Sequence, residues 1–157
     1  MAGYAQHERL AEISFLLGTW RGGGDGEWPG AVPFRYGEEM TFEHAGDAYL
    51  LYSQRSWSFD DGSPISFERG FVRPAGPGLV ELVVAHPLGV AEIAEGTVRD
   101  RVIEVETTSI GLTATGPAVT GIRRRLEATE DALAYELHMA MREVPLTSHV
   151  RARLARV

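Results

Sequence analysis

A period of two runs through most of this chain, and it decides the fold class. From 34 to 44, Phe34, Tyr36, Met40, Phe42 and His44 fall on one face, with Glu38 the single charged member of that set. Arg35, Glu39, Thr41 and Glu43 fall on the other. From 80 to 86, Val80, Leu82, Val84 and His86 alternate with Glu81, Val83 and Ala85. From 133 to 141, Leu133, Tyr135, Leu137, Met139 and Met141 oppose Ala134, Glu136, His138 and Ala140. Successive side chains of a strand point to opposite faces, so these segments read as half-buried antiparallel strands.

Turn signals separate the segments at regular intervals: Gly46-Asp47, Asp60-Asp61-Gly62, Ala75 to Gly78, Pro87 to Gly89, Arg99-Asp100, Glu130-Asp131 and Glu143 to Pro145. Connections this short join sequence neighbours as hairpins. The spacing predicts an all-β fold of roughly ten antiparallel strands, an up-and-down β-barrel or a sandwich. Closure is favoured because it removes the exposed edges of so long a meander. A barrel of about ten strands is wider than the eight-stranded size that side chains can just fill, so it should enclose a cavity. Ahead of the strands, Leu10, Ile13 and Leu17 share a helical face, which predicts a short amphipathic helix over 7–17, stopped by Gly18. No linker or internal repeat divides the chain, so a single domain over 1–157 is expected.

Composition excludes several functions. The formal charge of −7 argues against a nucleic-acid binder, which needs a net basic face. The run Arg123-Arg124-Arg125 reads as solvated strand faces. Absence of cysteine excludes disulfides, thiolate metal sites and a cysteine nucleophile, and suits a reducing cytoplasm. No apolar run is long enough for a membrane helix, and no signal peptide is visible; a soluble cytoplasmic protein is expected.

The stretch Gly18 to Gly24 is no phosphate loop: it lacks the lysine of a Walker loop, and a helix precedes it where a dinucleotide fold needs a strand. Its glycines suit a first strand that coils as the barrel closes, with Trp20 plugging one end. No Gly-x-Ser-x-Gly elbow occurs. Glu38 and Glu39, adjacent in a strand, face opposite sides: one a surface charge, the other a buried partner for an arginine. The histidines are His7, His44, His86, His138 and His149, and no two stand at tight chelating spacing. A haem needs only one axial histidine and apolar walls.

At this point the chain resembles the nitrobindin family, small calycin-like barrels related in shape to fatty-acid-binding and lipocalin folds. Several motifs carry the likeness, in order: Gly18-x-Trp20-x-Gly22-x-Gly24; Pro33-Phe34-x-Tyr36-x-Glu38-Glu39-x-x-Phe42-x-His44-x-Gly46; Gly70-Phe71-x-Arg73-Pro74; Val80 to Gly89; Glu95-Gly96-Thr97; Tyr135-x-Leu137-x-Met139; and Pro145-Leu146-x-x-His149. The resemblance implies one haem b per chain, with His149 as the axial iron ligand. It places His86 and Met139 in the haem pocket and Thr41 near it. It also implies isomerisation of peroxynitrite to nitrate at ferric haem, binding of nitric oxide, and a homodimer. Ser66 stands in the pocket where many members carry a histidine, and Pro117 where a lysine is common.

The last strand poses a problem of phase. Strict alternation puts His149 on the face of Arg151 and Arg153, opposite Val150, Ala152 and Leu154. Either a bulge after His149 resets the phase, or the arginines stand at a wet cavity mouth, or His149 points outward. Three functions remain open: a haem-dependent peroxynitrite isomerase, a non-enzymatic haem or nitric oxide carrier or sensor, and a haem-free barrel for a fatty or other apolar molecule.

Overall fold

A computed structural model describes residues 3–157. Its ten strands are β1 (Gly18–Gly26), β2 (Phe34–His44), β3 (Leu50–Ser58), β4 (Pro64–Pro74), β5 (Leu79–His86), β6 (Val90–Arg99), β7 (Val102–Leu112), β8 (Val119–Ala128), β9 (Ala132–Met141) and β10 (Val144–Arg156). Each pairs antiparallel with the next, and β1 closes on β10 from Trp20↔Arg156 to Gly26↔Val150. The meander is therefore a closed barrel. No helix among the described residues is long and apolar enough to cross a membrane.

The opening helix is real but tighter than the sequence pattern suggested. Glu8–Leu16 forms a 3₁₀-helix with His7 at its N-cap, the imidazole accepting from the Arg9 amide. Three residues per turn align Leu10, Ile13 and Leu16, and these are the fully buried ones. Leu17, expected on that face, is the C-cap. The helix closes one end of the barrel. The Trp20 indole donates to the Leu16 carbonyl at 2.8 Å, and the Arg156 guanidinium lies 4.0 Å from the centre of the Trp20 ring. Arg156 also donates to the carbonyls of Leu17, Phe15 and Glu130, tying both chain ends together.

The β1 glycines act through close approach. Trp20, Gly22 and Gly24 share the inner face by strand parity. A Cβ on Gly22 would run into the Arg153 carbonyl, and one on Gly24 into the Arg151 carbonyl and, at 2.8 Å, the Tyr36 hydroxyl. Only a strand stripped of side chains there lets β10 pass so near and leaves the phenol its place.

The interior has three layers. Nearest the helix is an apolar core that includes Met40, Phe42, Leu50, Ile103, Leu133 and Leu154. Above it lie Glu38, Gln54, Glu68, Glu92 and Arg124, each at most 5% exposed. Above these is an open cavity. The middle layer corrects two sequence expectations. Arg124 is not a solvated strand residue: strand parity sends it inward between Ile122 and Leu126, while Arg123 and Arg125 face out. Glu39 is the surface charge, paired with Arg21 and Arg55. Glu38 is buried, but its direct partner is Gln54; the buried arginine instead pairs with Glu68 and Glu92.

Candidate functional site

The cavity holds about 370 Å³ and opens at the end opposite the helix, where Ile65 and Leu88 are exposed on its rim. That volume lies in the range of small-molecule sites. Val119, Ile122, Leu137, Met139 and Met141 form an apolar wall. Phe34, Pro117 and His149 line it nearer the rim, and Tyr36, Glu38, Gln54, Ser66 and His86 line its polar part. The alternation of β2 sets this order: Phe34, Tyr36 and Glu38 descend into the cavity, and Met40 and Phe42 continue the same face into the core.

His149 reaches the cavity because β10 is bulged. Ser148 pairs with His138 and Val150 with Leu137, so His149 is the extra residue between them. A second irregularity lies between Val144 and Thr147. Two-for-one pairing turns the strand by one side chain. His149 and Val150 both line the cavity, Ala152 and Leu154 continue inward, and Arg151 and Arg153 are exposed. The phase problem of the last strand is thus resolved by the bulge.

The His149 ring is held from two sides. Its Nδ1 lies 2.9 Å from the backbone oxygen of Glu27, just past the end of β1, and the Glu27 amide donates to the His149 carbonyl at 2.8 Å. A carbonyl can only accept, so Nδ1 carries the proton, and in the neutral ring this tautomer puts the lone pair on Nε2. Trp28 and Phe34 meet the ring edge-on, at centroid distances of 5.4 and 6.4 Å. A histidine fixed by a carbonyl at one nitrogen and bare at the other is the arrangement of a metal ligand. The donor chemistry and the apolar walls together fit an axially ligated haem.

Four of the five residues singled out from the sequence come together here: His149, Met139, His86 and Ser66 all line the cavity. Met139 stands on the apolar wall. His86 is engaged, its Nε2 2.6 Å from Glu92. The Ser66 hydroxyl is 2.6 Å from Ser56 and 3.1 Å from the Gln54 amide nitrogen. Thr41 does not join them. It sits between inward-facing Met40 and Phe42, so parity sends it to the outer surface, where its hydroxyl is 3.4 Å from that of Thr19.

Sequence reasoning missed the charged layer beneath. Arg124 forks onto Glu92 with contacts of 3.0 and 2.7 Å, touches Glu68 at 2.8 Å and donates to the Tyr135 hydroxyl at 3.0 Å. Burial works against ionising Glu92, but the Arg124 charge and the bond to His86 outweigh it and bring the carboxyl down to about 2. Glu38 goes the other way. Burial dominates, Glu68 adds repulsion, and the Gln54 bond and distant Arg124 offset only part, leaving it at about 7. Burial and then Glu38 push the Tyr36 phenol well above its ordinary value. Only one signal pointed to this layer: a charged residue, Glu38 or Arg124, at an inward phase among apolar neighbours.

Comparison with known proteins fits this geometry. The family model described as "THAP4-like, heme-binding beta-barrel domain" matches residues 9–156. A Mycobacterium marinum protein named peroxynitrite isomerase 2 is 44% identical over 154 residues, covering 96% of each chain. A Nocardia farcinica protein named peroxynitrite isomerase is 40% identical over 156 residues, 97% of this chain and 93% of that one. The crystal structure of Rv2717c from M. tuberculosis superposes with a TM-score of 0.90 at 41% identity, covering 98% of this chain and 99% of that one. With its fold, its cavity and nearly its whole length matched, the chain belongs to the THAP4-like family of haem-binding β-barrel domains, the nitrobindins.

Proposed function

We propose that this barrel binds one haem b through Nε2 of His149 and isomerises peroxynitrite to nitrate. The observation that carries the reading is the Nδ1–H of His149 donated to the Glu27 carbonyl, which leaves the other nitrogen free on a ring that lines an apolar cavity. The names of the relatives support the reaction.

Bound haem supplies a ferric Lewis-acid and redox centre. The chain supplies the rest. The Glu27 carbonyl keeps the proton on Nδ1 and fixes the tautomer. Trp28 and Phe34 restrict rotation of the ring. Met139, Met141, Leu137 and Ile122 offer an apolar face to a flat macrocycle and exclude water from it. Conversion of peroxynitrite to nitrate conserves every atom and the charge, so no side chain has to donate a proton or an electron. That explains how a cavity without an acid–base pair beside His149 can serve the reaction. Nitric oxide binding at the same iron is part of the proposal and needs no further residue. A homodimer also enters it, supported by an outer row of apolar side chains in register across four strands: Leu51, Phe71, Val83 and Ile93.

Stopped-flow decay of peroxynitrite tests the enzyme. The ferric protein should accelerate decay over buffer and over the haem-free chain, with nitrate as product. Haem binding without acceleration would leave the carrier reading in its place.

A further inference from the structure

The cavity floor carries two polar atoms that the haem reading does not use. Among the described residues, Glu38 Oε1 and the Tyr36 hydroxyl have no hydrogen-bond partner, although Glu38 is 1% and Tyr36 2% exposed. Both residues line the cavity. Buried polar groups left unpaired are costly, a charged one most of all, so they favour a ligand able to pair with them. Their chemistry selects that ligand. The other oxygen of Glu38 already accepts from Gln54 at 2.7 Å, which leaves Oε1 as the free lone-pair site.

The carboxylates around them outnumber the cations. Facing Glu38 are Glu68 on β4, Arg124 on β8, and the phenols of Tyr52 on β3 and Tyr135 on β9; Tyr36 stands beside it on β2. Arg124 is already shared between Glu68 and Glu92, so the third carboxyl has no cation of its own. Above the floor, the wall of Ile122, Leu137 and Met139 is apolar.

We propose that the haem-free barrel has a second ligand class, apolar primary amines, held with the ammonium on Glu38 Oε1 and the Tyr36 hydroxyl and the hydrocarbon along the Ile122–Leu137–Met139 wall. The ammonium supplies the donors and the charge that the floor lacks. Because Glu38 is half-protonated near pH 7, amine affinity rises with pH as the carboxylate forms and levels off above about pH 8.

The test is calorimetric titration of the full-length protein, before any hemin is added, with n-hexylamine, hexan-1-ol and hexanoate. These share one chain and differ in the head group. At pH 8 the amine should bind at least about tenfold more tightly than the alcohol, a ratio typical of a partly buried charge-assisted pair. The amine-to-alcohol ratio should shrink from pH 8 to pH 6. Glu38→Gln should abolish the preference, weakening the amine far more than hexanol, and Tyr36→Phe should reduce it. Equal binding of amine and alcohol by the wild type, survival of the preference in Glu38→Gln, or tightest binding of hexanoate overturns the proposal. The wild-type pH series decides the matter even if a variant fails to fold. Hemin takes no part, so failure here is distinct from failure of haem binding.

Discussion

Replacing Arg124 with methionine isolates the buried charge layer. Arg124 is 2% exposed and holds Glu92 bidentately, Glu68 through a second contact and Tyr135 through a third. Methionine matches much of its bulk but strands two carboxylates that are at most 5% exposed. Removing one partner of a buried ion pair costs about 3–5 kcal/mol. A domain of this size is stable by roughly 5–15 kcal/mol, so the variant should fold with a much reduced margin.

The pH dependence gives the sharper test. In the wild type Glu92 is held at about 2, below its ordinary range. Its contribution is complete above about pH 4.5 and fades as pH falls through 2. Without the guanidinium, burial is no longer outweighed at Glu92 and raises its carboxyl, and the sign reverses: the variant loses stability as pH rises through the new value. Urea denaturation followed by tryptophan fluorescence at pH 4.5 and pH 7.5 reads both effects. The deficit against wild type should be about 3–5 kcal/mol at pH 7.5 and at most half of that at pH 4.5. Adding Glu68→Gln and Glu92→Gln to the variant should recover most of the loss at pH 7.5. A deficit under about 1 kcal/mol at pH 7.5, or one equal at both pH values, refutes the reasoning.

Two further predictions use the same fold. Gly24→Ala puts a methyl group against the Arg151 carbonyl and the Tyr36 hydroxyl, whereas a Cβ on Gly111 would have its nearest atom at 3.9 Å. Thermal unfolding should therefore show a loss of several degrees for Gly24→Ala and almost none for Gly111→Ala. Glu38 has a raised folded-state value of about 7, so its contribution is present below its ordinary 4.5 and lost as pH rises through 7. Urea denaturation should show wild type weakening by up to about 3 kcal/mol over that window and Glu38→Gln remaining flat.

The sequence made the barrel legible where alternation was clean. Strand β5 follows the predicted parity along its length, β9 does so from Leu133 to Leu137 and β2 from Glu38 to Phe42, because their inner faces are nearly all apolar. The helix was legible in place but not in pitch: Leu16 and Leu17 are both apolar, and only the turn geometry decides which is buried. His149 could be named by resemblance, but its direction could not be read, because a bulge is a property of two paired strands and not of one. Thr41 shows the limit of resemblance: strand parity sends it outward, and that parity was already readable from Met40 and Phe42. The charged layer was hidden for another reason. Arg124 lies in a run of three arginines, and its carboxylate partners come from β4 and β6, far away in the chain.

The central claim is that His149 holds haem iron, and hemin titration of the wild type against His149→Ala tests it most directly. Wild type should bind one equivalent and develop the Soret band of a histidine-ligated haem. The alanine variant should keep the barrel by circular dichroism, yet lose that spectrum and weaken at least about tenfold. Imidazole added to the variant should restore part of the band. Equal binding and an unchanged spectrum in the variant would contradict the claim.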